Sequence, residues 1–81
     1  VTVRALLFGH YRDLVDGGEA TLSLPDRATI ADAAAALATR EPRLSDLLAR
    51  TRVAVGAEFA TPETILADGD ELAFLPPMSG G

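Results

Sequence analysis

At 81 residues, 48% of them hydrophobic and 23% charged, the chain has the size and composition of one folded domain, which excludes intrinsic disorder and a second core. The absence of cysteine excludes disulfide staples, thiolate metal sites and a cysteine nucleophile, and a formal net charge of -5 argues against nucleic acid and anionic membranes as partners. No apolar run reaches the ~20 residues that span a bilayer. Arg4 interrupts the first apolar stretch, so no signal peptide is read and a cytoplasmic location is expected.

Val1 to Phe8 is rich in β-formers and apolar on both faces, with Val1, Val3, Ala5 and Leu7 on one side and Thr2, Arg4, Leu6 and Phe8 on the other. Such a strand is expected near the centre of a sheet. Gly9 breaks it. Tyr11, Leu14 and Val15 follow at helical spacing, and Asp16-Gly17-Gly18 reads as a turn. Glu19 to Leu24 alternates, with Ala20, Leu22 and Leu24 inward, and predicts a strand antiparallel to the first. Pro25 ends it. Thr29 is the expected N-cap of a helix running to about Arg40, with Asp32 in its first turn and Ile30, Ala33, Ala34, Leu37 and Ala38 on one face.

Pro42 opens a second short helix, in which Leu44, Leu47 and Leu48 repeat at helical spacing. Val53 to Val55 is a short strand and Gly56-Ala57-Glu58 a turn. Phe59 leads into another turn at Thr61-Pro62-Glu63. Asp68-Gly69-Asp70 is the strongest turn signal in the chain. Glu71 to Leu75 is the last strand, with Leu72 and Phe74 on one face and Ala73 and Leu75 on the other.

This order predicts an α+β fold. A leading hairpin is followed by one main helix packed across a mixed sheet, and the last strand lies parallel to the first in the sheet centre. That is the β-grasp, or ubiquitin-like, arrangement. One domain over residues 1–75 is expected, with residues 76–81 as a flexible tail.

Catalytic equipment is sparse. His10 is the single histidine, and one His without Cys makes a zinc site improbable. Ser23, Ser45 and Ser79 have no adjacent base. Asp68 and Asp70 lack the ligand spacing of a calcium loop, and Gly17-Gly18 lacks that of a phosphate cradle. All seven basic residues are Arg, so the chain holds no Lys nucleophile or amine acceptor. With no acid–base pair visible, the residues argue against a stand-alone enzyme. The tail differs. Pro76-Pro77 stiffens the exit from the last strand, and Gly80-Gly81, lacking Cβ atoms, suits a carboxylate threaded into another protein's active site.

The run from Asp68 to Gly81, DGDELAFLPPMSGG, resembles the C-terminal signature of the MoaD/ThiS family of sulfur carriers, to which the small subunit of molybdopterin synthase belongs. The first strand running into Tyr11-Arg12-Asp13-Leu14 resembles the family's opening segment. Gly56 is a departure, since many members carry Asn there. The resemblance implies that a ubiquitin-activating-type adenylyltransferase, using ATP, adenylates the Gly81 carboxylate and that sulfur transfer makes it a thiocarboxylate. It implies that Gly80, Ser79, Met78, Pro77 and Pro76 lie in the large subunit of molybdopterin synthase during transfer to a pyranopterin precursor. It implies a heterotetramer of two small and two large subunits, and no cofactor or metal bound by this chain. Carriers for thiamine, tRNA thiolation or cysteine synthesis share the chemistry, and a ubiquitin-like interaction module without sulfur is the alternative from another class. The Pro76-Pro77 run favours the molybdopterin branch.

Strand parity suggests where the large subunit docks. With Leu7, Leu72 and Phe74 under the helix, Phe8, Leu75 and Phe59 would form an apolar patch on the open sheet face, and the resemblance points to the same positions. The alternative is that the second short helix covers them.

Overall fold

Alternation along the first strand is matched by burial. In the computed structural model, which describes residues 1–76, β1 (Thr2–Leu7) buries Val3, Ala5 and Leu7 and exposes Thr2 and Arg4. The roles expected of Pro77, Met78, Ser79, Gly80 and Gly81 lie outside the described residues. β2 (Glu19–Ser23) pairs with β1 antiparallel, from Thr2↔Ser23 to Leu6↔Glu19, and buries Ala20 and Leu22. The connection contains a 3₁₀ segment, Gly9–Leu14, whose helical spacing turns Tyr11 into the core.

α1 (Ile30–Arg40) begins with a reciprocal capping box. The Thr29 hydroxyl accepts from the Asp32 backbone N–H at 3.3 Å, and the Asp32 carboxylate accepts from the Thr29 N–H at 2.9 Å. The next two orphan donors are satisfied by a distant loop: Ile30 N–H reaches the Thr64 carbonyl at 3.1 Å and Ala31 N–H that of Pro62 at 3.0 Å. Ile30, Ala33, Ala34 and Leu37 are buried in one cluster with the inward residues of β1, β2 and the later strands. Pro42 disfavours helical angles at Glu41, which is extended at φ -137, ψ 96, and the helix stops there.

The second helix expected after Pro42 is split. A 3₁₀ turn (Pro42–Leu44) and the single-turn α2 (Leu47–Arg50) are separated at Asp46, whose φ -95, ψ 12 is not helical. The break leaves Leu44 and Leu47 both buried, so the apolar spacing is kept while the helix is not.

β3 (Arg52–Val55) and β4 (Glu58–Ala60) form a hairpin, with Val53↔Ala60, Ala54↔Phe59 and Val55↔Glu58 in register. β4 has no counterpart in the sequence reading, which carries Phe59 from one turn to the next. Three residues are too few to show alternation; pairing with β3 supplies the order. Gly56 turns this hairpin at φ +64, and a Cβ there would meet nothing within 4 Å. The Asn seen there in the resembled family fits the same backbone.

β5 (Glu71–Leu75) enters the sheet between β1 and β3, giving the order β2-β1-β5-β3-β4. It runs parallel to β1 and antiparallel to β3. The Asp68-Gly69-Asp70 turn starts it in register. The Asp68 carboxylate accepts from Thr2 N–H at 2.6 Å, Gly69 N–H donates to the Thr2 carbonyl at 2.7 Å, and the Asp70 carboxylate accepts from Ala67 N–H at 2.8 Å. The motif is thus a clamp between two strand starts. Leu72 and Phe74 are fully buried beneath α1 in the same core cluster. No helix among the described residues is long and apolar enough to cross a membrane.

One core group is unsatisfied. The Tyr11 hydroxyl is buried and has no hydrogen-bond partner among the described residues. Burial pushes the phenol pKa up, and the charge of nearby Asp46, itself paired to Arg50 at 3.1 Å, adds to this. Tyr11→Phe is expected to leave stability unchanged or raise it by up to about 1 kcal/mol, because it removes a polar atom that gains nothing on folding. Thermal denaturation checks this; a loss of stability would show that the hydroxyl is bonded.

On the surface, Arg43 holds the Glu41 carboxyl down at about 2, through its side-chain and then its backbone N–H. The folded pKa lies below the usual 4.5, so this pair contributes stability above about pH 4.5 that is lost as pH falls toward 2. Acid titration of stability in wild type and Glu41→Gln is expected to differ in that window, with the variant's curve flatter. Parallel curves would show that the pair persists equally in the unfolded chain.

Candidate functional site

One face of the sheet is covered by α1; the other is not. Residues directly opposite in a ladder share a face, so the register assigns the open side. Leu6↔Ala73, Ala73↔Ala54 and Ala54↔Phe59 run across β1, β5, β3 and β4 as one apolar row. Phe8 continues β1 in an extended conformation (φ -122, ψ 167), and parity sets it on this face beside Leu75. Phe8 is 42% exposed and Phe59 63%, while Leu75 is half-buried. The structure therefore brings Phe8, Leu75 and Phe59 to one face; parity suggested this for Phe8 and Leu75, and the pairing of β4 with β3 sets Phe59 there. The segment after Pro42 does not cover them: it packs against α1 and the Tyr11 turn, with Leu44 and Leu47 in the core.

Charges frame the apolar row. Arg4, on the same face, is ion-paired to Glu19 of β2 and, at 2.7 Å, to Glu71 of β5. Glu19 and then Glu71 hold its guanidinium pKa above the ordinary value. At the opposite end Arg52 lies across from Leu75, and its guanidinium stands 4.9 Å from the centre of the Phe59 ring. The sequence reading did not name Arg52 as a site residue. Its signal emerges only once β3 is registered on β5, because the contact joins residues in different strands.

β5 ends at the same corner. β1 and β5 are parallel, so Phe8 and the β5 exit lie side by side, and Pro76 follows Leu75 directly. Pro76, expected as the first tail residue, lies against Gly9: a Cβ on Gly9 would fall 2.6 Å from the Pro76 Cγ. His10 is exposed, with its ring 4.2 Å from that of Tyr11. No group of three His, Asp or Glu residues that could hold a metal occurs among the described residues. The described residues thus set an exposed apolar face beside the end of β5.

The mixed sheet with central parallel β1 and β5, one helix across it and the chain exit beside β1 define a ubiquitin-like β-grasp protein. Within that class the chain belongs to the ThiS family, whose model matches residues 5–81. It is 32% identical over 81 residues to the molybdopterin synthase sulfur carrier subunit of Arabidopsis thaliana, covering 100% of this chain and 84% of that protein. Its structure is similar to SAMP1 from Haloferax volcanii, with a TM-score of 0.88, 27% identity and full coverage of both chains. The fold is also shared with a chain in the complex of subunits 1 and 2 of the molybdopterin-converting factor from Helicobacter pylori, at a TM-score of 0.69, 21% identity and full coverage of both chains.

Proposed function

We propose that this chain is the sulfur-carrier subunit of a molybdopterin synthase. The observation that carries the reading is the full-length likeness to a carrier of that name, joined to a chain exit that lies beside an open apolar face. A carboxylate is a poor electrophile. Attack of the Gly81 carboxylate on the α-phosphorus of ATP, in a ubiquitin-activating-type adenylyltransferase, forms the acyl adenylate and releases pyrophosphate. A sulfide equivalent then adds to the carbonyl carbon, AMP leaves, and a terminal thiocarboxylate remains. That sulfur is donated to the pyranopterin precursor in the large subunit, and water restores the carboxylate. On this reading the stabilising groups belong to its partners.

Phe8, Phe59 and Leu75 dock the large subunit on this reading, and Pro76, Pro77, Met78, Ser79 and Gly80 follow into its active site. Two small and two large subunits make the cytoplasmic assembly. Intact mass of the protein from its native host tests the proposal. A species heavier by the difference between sulfur and oxygen, lost on deletion of Gly81, is expected. Only the plain carboxylate under conditions that demand the cofactor would overturn it. A second reading, a protein modifier, is favoured by the likeness to SAMP1, a small archaeal modifier protein. It predicts isopeptide-linked conjugates on other proteins, and the lack of Lys in this chain prevents Lys-linked conjugation to its own copies.

A further inference from the structure

We propose that Gly9 is a positioning residue, a notch that seats the Pro76 ring and so fixes the point from which residue 77 starts. The inference deepens the sulfur-carrier reading and rests on it for its functional consequence. The register of the parallel pair is Leu7↔Phe74; extended by two residues it sets Gly9 beside Pro76. There the two chains diverge. Gly9 turns away at φ +63, a region closed to most side chains, and presents a bare Cα to the proline. A Cβ on Gly9 would stand 2.6 Å from the Pro76 Cγ and 3.6 Å from both its Cβ and Cδ. Proline lacks free χ1 rotation, so beyond the small displacement its ring pucker allows, relief of the collision falls on the Pro76 or Gly9 backbone. Gly17, Gly56 and Gly69 also have positive φ, yet a Cβ on any of them meets nothing within 4 Å. Turn geometry alone therefore explains those glycines. A Cβ on Gly18, at φ +71, would also be crowded, 2.8 Å from the Arg12 Cγ and 3.3 Å from the Leu7 carbonyl, but only Gly9 meets the residue that follows β5.

The consequence concerns delivery, not affinity. Leu75 is held in β5 by its pairing with Arg52, so the shift is expected to fall beyond it, at Pro76. The reacting carboxylate is attached beyond Pro76, so a change in where residue 77 starts is expected to alter its delivery. Misplacement of a reacting group by about 1 Å costs up to ~10²-fold in rate.

The test uses Gly9→Asn, because Asn tolerates positive φ while carrying a Cβ, together with Pro76→Ala and the double variant. Two-dimensional NMR of the isolated protein reads the contact directly. Cross-peaks between the Gly9 α-protons and the Pro76 ring protons are expected, and their absence overturns the proposal whatever the function. With the cognate adenylyltransferase, Gly9→Asn is expected to lower kcat of pyrophosphate exchange roughly 10-fold while KM changes less than about 3-fold. In the Pro76→Ala background the same substitution is expected to cost less than about 2-fold, since the Cγ is gone. Equal losses in both backgrounds, or a change confined to KM, would overturn the assignment. If wild type supports no exchange, the sulfur-carrier reading fails, while the cross-peaks still decide the notch.

Discussion

Deletion of Gly81 is expected to abolish adenylation and sulfur transfer while leaving the thermal transition unchanged. The two halves of this result have separate causes. The buried core among the described residues runs from Val3 to Phe74 and is closed by the Asp68-Gly69-Asp70 clamp at one end and the α1 capping box at another. None of those interactions uses residue 81, so the core is expected to survive its loss. The chemical half follows from reach. One extended residue spans about 3.3–3.6 Å, and a nucleophile must lie within ~3–3.5 Å of its electrophile in a near-attack geometry. Shortening the chain by one residue withdraws the carboxylate by the whole of that distance, and no other group in the chain substitutes for it. Activity is expected to fall by well over 10²-fold, to background. Pyrophosphate exchange, intact mass and a thermal melt on the same preparation check the three statements together. Retained sulfur transfer by the shortened chain would sink the carrier mechanism; a lowered melting temperature would show that the terminus contributes to the fold.

Much of this fold was legible because the sequence is locally consistent. Val3, Ala5 and Leu7 alternate, and so do Leu72 and Phe74; parity alone places them on the buried face, where the structure has them. Thr29 with Asp32 marks a helix start by a mechanism visible in four residues. β4 was hidden because its order comes from Ala54↔Phe59 and its neighbours, a pairing no three-residue window reveals. The break at Asp46 was hidden because Leu44 and Leu47 keep helical spacing across it. The candidate site divides in the same way. Phe8 and Leu75 could be set on one face from the alternation of their own strands. Arg52 over Phe59 and Gly9 under Pro76 join residues of different elements, and only the assembled sheet brings them together. The turn motif Asp68-Gly69-Asp70, part of the family signature, is explained here by strand clamping and not by sulfur chemistry.

Substituting Phe8 with Asp is expected to weaken large-subunit binding about 100-fold, or ~2.7 kcal/mol, without unfolding the domain. At 42% exposure Phe8 is not a core residue, and its replacement opens no cavity; stability is expected to change by no more than about 0.5 kcal/mol. Binding is another matter. The face around Phe8 is apolar through Leu75, Leu6 and Ala73; of its basic residues Arg4 is committed to Glu19 and Glu71, and Arg52 stands against the Phe59 ring. A carboxylate buried there on docking would lose its hydration against apolar surroundings. The opposite side of the domain supplies the control. Ala35 is exposed on α1, away from the open sheet face, and Ala35→Glu is expected to leave the affinity unaltered. Calorimetric titration of both variants against the large subunit, with melting curves of each, separates docking from folding. Normal binding by Phe8→Asp with loss in Ala35→Glu would move the interface to the helical side. Loss in Phe8→Asp alone would place the docking surface where the parallel strands leave the sheet, so that the face that binds the partner also launches the reactive terminus.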